Sequence, residues 1–124
     1  MELTALNEAL TVCKLDPDGD FDLDCKLFFL AKTADELSLV CPTEETPEFT
    51  TAREDGWRGF RVSGTMEFSL VGILAGIADI LAEQQISIFA VSTYDTDYIL
   101  VKQENFEKAL KTLAGHGYTV RQDG

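Results

Sequence analysis

Basic residues are scarce in this chain, with 10 Lys and Arg against 22 Asp and Glu, a formal net charge of −12 over 124 residues. A surface of that sign repels phosphate backbones and anionic membranes, so nucleic acid and membrane are excluded as partners. Long apolar runs are missing too. The nearest approach, Leu70 to Ala82, is interrupted by Gly72, Gly76 and Asp79 and falls short of the ~18 residues of a spanning helix. The start, MELTALNEAL, has no basic region ahead of an apolar core, so a cytoplasmic protein is expected. There is one histidine, His116, set between Gly115 and Gly117, where a turn role is expected. The three cysteines, Cys13, Cys25 and Cys41, are 12 and 16 residues apart with no CxxC pair. That spacing excludes a structural zinc site, and an odd number excludes a complete disulfide set, which leaves small buried or half-buried thiols. No P-loop, GxGxxG, HExxH or paired-acid signature is present. An enzyme, a cofactor and a metal are therefore not expected.

What remains is an ordinary globular composition, 45% hydrophobic and 26% charged, of a length that fits one compact unit or two very small ones. Charge is unevenly divided. Residues 1–60 carry 14 acids and 5 bases, and residues 61–124 carry 8 acids and 5 bases. The polar stretch Thr43 to Gly56, TEETPEFTTAREDG, reads as a linker and places a division at residue 56. The acidic run Asp16-Pro-Asp-Gly-Asp-Phe-Asp-Leu-Asp24 begins like a calcium loop, but Phe21 stands where the loop needs Gly and Leu27 where it needs Glu. It reads as a solvated acidic loop.

The second half has clear periodicity. Trp57 to Val62 is a strand pattern, and Leu70, Ile73, Leu74, Ile77, Ile80 and Leu81 recur at helical spacing after Ser69, a good N-cap. Ile86 to Ser92 and Tyr98 to Lys102 flank a turn-prone segment and read as a hairpin. Phe106, Ala109, Leu110 and Leu113 mark a second helix stopped at Gly115, and Tyr118 to Arg121 closes as a strand. The order is βαββαβ, an α+β, ferredoxin-like plan. A shift of 60 residues sets Leu27–Pro42 beside Ser87–Lys102, with Phe29 on Phe89 and Thr33 on Thr93. Leu10–Lys14 aligns with Phe60–Gly64 at a shift of 50, so the first half has ten fewer residues for its first helix. Two tandem halves are expected, 1–56 degenerate and short of helices, 57–124 complete.

The segment Ser63, Gly64, Thr65, Met66, Glu67, Phe68, Ser69 joins the second half's first strand to its helix. Unpaired N–H groups at such a helix start, near Leu70, Val71 and Gly72, suit a small carboxylate. The hairpin tip offers hydroxyls at Ser92 and Thr93 and carboxylates at Asp95 and Asp97, the complement of an ammonium group. Each residue alone also serves an ordinary turn. Their pairing makes the site.

The stretch GWRGFRVSGTMEFSLVGILAGIADILAEQQISIFAVSTYDTDYILV resembles the ACT domain, a small regulatory module of amino-acid metabolism. Within that superfamily it is similar to bacterial tandem-ACT proteins related to the cytosolic arginine sensors of animals. The resemblance implies a regulatory module that binds an amino acid between ACT modules, with Gly64 to Gly72 as the ligand loop and Ser92, Thr93 and Asp97 contributed by the hairpin. A homodimer with sheets joined side by side is expected, since each half is small and each sheet ends in an edge strand, and pairing edges or helix faces across a twofold axis covers backbone groups and apolar area together; with no enzyme or DNA-binding segment in the sequence, the signal is expected to leave through an effector protein. One departure from the pattern is Leu70, where the arginine sensors carry a carboxylate for the guanidinium; Glu67 is the nearest substitute. The competing reading is a ligand-free interaction and dimerisation module of the same fold.

Overall fold

The structure, a computed structural model, describes residues 1–19, 24–63 and 72–122. They form two compact units, one made of Met1–Asn7 with Arg58–Gly124, the other of Glu8–Trp57.

The larger unit contains strand β1 (Glu2–Ala5), the second part of β5 (Thr50–Ser63), helix α1 (Ile73–Glu83), β6 (Phe89–Ser92), β7 (Asp97–Lys102), helix α2 (Phe106–Gly115) and β8 (Thr119–Gln122). From β5 onward this is the βαββαβ order expected from periodicity. Its strands lie in the order β6-β7-β5-β1-β8. β1 runs antiparallel to β5, with Leu3 opposite Val62, and parallel to β8, with Leu3 opposite Val120. The N-terminal strand thus occupies the place between the first and last strands of the βαββαβ unit. The sequence puts the only division at residue 56, whereas here residues 1–7 lie with the C-terminal half. Strand alternation explains why: Leu3 and Ala5, Phe60 and Val62, Ile99 and Val101 all point to one face and are buried. Ile77 and Leu81 of α1 and Phe106, Ala109, Leu110 and Leu113 of α2 close over that face. At ~25 cal/mol per Å2 of apolar area, this core is the main stabilising term of the unit.

The smaller unit is a sheet in the order β3-β4-β2-β5, built from β2 (Leu10–Leu15), β3 (Phe29–Lys32), β4 (Leu37–Pro42) and the first part of β5. Among its described residues it has no α-helix, only a 3-10 turn at Thr43–Glu45. Its core is Cys13, Leu15, Leu37, Leu39 and Cys41, with Phe28 and Phe49 packed on it. Those two rings cover apolar positions that helices cover in the larger unit. Gly19 approaches one of them so closely that a Cβ there would fall 2.4 Å from the Phe49 ring.

The expected linker is a correction. Residues 43–56 hold the 3-10 turn and then the start of β5, which pairs antiparallel with β2. Three residues of β2, Leu10 to Val12, oppose four of β5, Trp57 back to Glu54, one residue more on β5. Gly56 takes up that bulge with φ +85.

The repeat is in register. β3 and β4 match β6 and β7 at a shift of 60, and the 3-10 turns Thr43–Glu45 and Gln103–Asn105 match at the same shift. Both hairpins close alike: Thr33 N–H donates to Glu36 O at 2.9 Å, and Thr93 N–H to Thr96 O at 2.8 Å. Beyond the 3-10 turn the halves diverge, α2 following one and an extended Thr46 the other.

Candidate ligand site

The site expected from sequence belongs to the larger unit, and its central loop, Gly64, Thr65, Met66, Glu67, Phe68, Ser69, Leu70 and Val71, lies outside the described residues. So does the N-cap expected at Ser69. The described helix α1 has Gly72 as its N-cap at φ +86 and begins at Ile73. Glycine fits because no Cβ opposes the left-handed backbone. The first intrahelical bond runs from Gly76 N–H to Gly72 O at 2.8 Å, so the donors of Ile73, Leu74 and Ala75 lie ahead of the bonded turn. Among the described residues no side chain caps this end and no acid sits in its first turn, whereas α2 has Glu107 there. The positive end of the α1 dipole is left without a nearby countercharge from its own first turn.

The other flank of the loop is Ser63, the last residue of β5. Its hydroxyl bonds that of Thr4 on β1. Thr96 Oγ1 donates to Val62 O at 2.5 Å and ties the hairpin turn to the end of β5. Within the hairpin, Ser92 Oγ donates to Asp97 Oδ1 at 2.6 Å, and Thr93 Oγ1 to Thr96 O at 3.0 Å. Asp97 is 8% exposed although it is a carboxylate. It begins β7 in the same alternation as Ile99 and Val101, at the margin of the core face. In the repeat, the equivalent position is Leu37, also 8% exposed. The fold therefore takes leucine at this place, and a carboxylate is an addition to it.

The structure brings Ser63, Ser92, Thr93 and Asp97 into one hydrogen-bonded end of the β5-β6-β7 sheet. Asp95 is exposed at the turn and takes no part in these hydrogen bonds. Two members of the group, Thr4 and Thr96, are absent from the sequence reading. Thr96 lies in the hairpin tip between Asp95 and Asp97, where its hydroxyl is the available signal; Thr4 has none, because four residues of β1 are too short to show a period.

A second polar cluster lies in the smaller unit. Thr11, fully buried, bonds Thr43 Oγ1 at 2.9 Å and donates to the Asp55 carboxylate at 2.7 Å, which also accepts from Arg53 Nε at 3.1 Å and Nη2 at 2.9 Å. The Thr11 hydroxyl first, and Arg53 after it, hold the Asp55 carboxyl below the usual range. Burial, with Cys41 beside it, pushes the Cys13 thiol up to about 11, and burial also raises Cys25. The thiols are free and largely buried as expected. His116 ends α2 as a C-cap, with Nδ1 2.9 Å from Thr112 O. Among the described residues no group of His, Cys, Asp and Glu could hold a metal ion, and no helix is long and apolar enough to cross a membrane.

A family model for the ACT domain matches residues 52–115. The Rattus norvegicus protein named cytosolic arginine sensor for mTORC1 subunit 1 is 30% identical over 109 residues, which cover 81% of this chain and 33% of that protein. The chain thus spans about a third of the length of the curated relatives it matches. A solved Agobacterium tumefaciens protein superposes with a TM-score of 0.87 at 28% identity over 99% of this chain and 93% of its own. The E. coli aspartokinase III structure, in complex with aspartate and ADP, shares the fold at a TM-score of 0.63 and 10% identity, over 93% of this chain and 32% of its own.

Proposed function

As the chain belongs to the ACT-domain family, we propose that it is a cytoplasmic, non-catalytic regulatory module that binds a free amino acid at the loop between β5 and α1. The single observation that carries this reading is Asp97, a buried carboxylate beside the end of β5 where the repeat has Leu37. A position that the fold fills with leucine needs another reason for a carboxylate, and a cationic group of a ligand supplies one. The ligand carboxylate would face the donors at the start of α1, in a strongly acidic protein whose α1 first turn carries no acid. The relatives named as arginine sensors support an amino acid as the ligand class, and Leu70 argues for a side chain other than arginine's.

The chain is proposed to act as a homodimer that passes its signal to an effector protein. The experiment is a thermal-shift screen with the twenty amino acids, followed by calorimetry on the hit. A ligand at 100 times its dissociation constant adds about 2.7 kcal/mol of stability. A flat screen at millimolar concentrations would overturn the reading and favour the ligand-free dimerisation module.

A further inference from the structure

The core face of the smaller unit is open at one end. In the larger unit α1 and α2 close over the matching face, whereas here Phe28 and Phe49 pack on the core and no α-helix is present among the described residues. Beside the β3-β4 hairpin this face borders a cavity of about 470 Å3, within the size range of small-molecule sites. Its apolar walls include Leu30, which is 40% exposed, Leu37, and Pro17 from the turn after β2. That turn is closed by its own groups: the Asp16 carboxylate accepts from Asp18 N–H at 3.0 Å, and Asp16 O from Gly19 N–H at 3.0 Å.

The hairpin sets the chemistry of the cavity. Lys32 and Leu37 stand directly opposite each other in the β3-β4 ladder, so both side chains lie on the core face, as do Leu30 and Leu39 two residues along. Sixty residues on, the same two places hold Ser92 and Asp97, which bond each other at 2.6 Å. The pair carries +1 in the smaller unit and −1 in the larger. This reversal falls within residues 8–57, where acids outnumber bases 13 to 4, so it runs against the composition around it. Among the described residues no acid forms an ion pair with Lys32. Glu36 borders the cavity too, but alternation turns it to the face away from Leu37, where it also borders a smaller hollow with Lys14 and Ser38. The tip N–H groups of Asp35 and Glu36 already bond Thr33 Oγ1, at 3.2 and 3.1 Å.

We propose that this cavity is a second ligand site, for a small carboxylate with an apolar body and no ammonium group. It stands independently of the site at the start of α1. Lys32 meets the carboxylate at the rim, while Leu30, Leu37 and Pro17 hold the apolar body. The α-carbon of such a ligand follows the carboxylate bound at Lys32 and so meets Leu37, which offers an ammonium group no acceptor. A cation taken out of water there without a partner is disfavoured.

The probes are isocaproate and leucine, which differ by the α-ammonium group alone, and isohexylamine, which carries the opposite charge. Amide NMR shifts of the isotope-labelled full chain locate the binding, and calorimetry measures it. Isocaproate shifts the amides of Leu30 to Leu37 and leaves those of Ile73, Leu74 and Ala75 in place, and leucine binds the hairpin cavity at least about tenfold more weakly. Lys32→Met, which keeps an unbranched stem at an exposed position, raises the isocaproate dissociation constant at least about tenfold. Lys32→Ser combined with Leu37→Asp installs the pair of the other half and turns the preference to isohexylamine; where that double variant does not fold, Lys32→Met decides. No shift at the hairpin with isocaproate at tens of millimolar overturns the site, whatever the amino-acid screen finds at α1. Equal or tighter binding of leucine at the hairpin overturns the ligand class, and unchanged affinity in Lys32→Met overturns the carboxylate contact on which the proposal stands.

Discussion

Asp97 and Leu37 are the same residue position in two copies of one hairpin, equally buried and differently charged. Asp97→Leu should therefore fold, with a thermal midpoint at or above the parent's, while affinity for a cationic group falls by about 1.5–3 kcal/mol, the worth of a charge-assisted hydrogen bond; a midpoint lowered by several degrees would make Asp97 structural. Thr11 is the other telling residue. Because its hydroxyl holds Asp55 below the ordinary carboxylate range, the ionised acid stabilises the fold at pH above its unfolded value of ~4, and that contribution disappears as pH drops through the lower folded value. In Thr11→Val the Asp55 carboxyl should titrate closer to ~4 by NMR, and acid unfolding should begin at higher pH. Cys13, with its thiol raised to about 11, should resist alkylation at pH 8 in the native state, while half-buried Cys25 labels first in a mass-spectrometric time course. The sequence made Asp97 visible because it closes a turn rich in hydroxyls. It hid the Thr11–Asp55 pair, since 44 residues separate the two and no local pattern links them.

Elements were legible where one face is buried. α2, β4 and β7 show their periodicity because half of each points into a core. The first part of β5 does not: Thr51 to Asp55 are all exposed, so the strand reads as polar filler and only its pairing with β2 reveals it. The start of α1 shifted for a related reason. Apolar spacing continues through Leu70, but Gly72 at φ +86 sets the helix boundary after it. Gly56 has the same backbone sign at the β5 bulge, and no atom lies within 4 Å of where its Cβ would stand. Space is available and conformation is not, so Gly56→Ala should cost about 1–2 kcal/mol in urea unfolding; an unchanged midpoint would mean that the bulge relaxes.

For the molecule as a whole, the tandem plan was readable from the 60-residue shift, which both hairpins and both 3-10 turns obey. The membership of β1 was not. Four residues, ELTA, are too short for a period, and their partners lie more than 50 residues away on one side and more than 110 on the other. A fragment beginning at Arg58 lacks the strand between β5 and β8, and with it Leu3 and Ala5 of the core. It should be unfolded or aggregated alone by circular dichroism and gel filtration, and a synthetic peptide of residues 1–7 should restore native signal; a stable, monomeric fragment would show that β1 is dispensable. The same strand sets a schedule. β1 is made before both of its partners, β5 and β8, so its place between them is completed only when residue 122 has been synthesised. Glu8–Trp57, whose four strands are neighbours in both chain and space, can form during that interval, which makes the helix-poor half the earlier folding body and the better-formed half the later one.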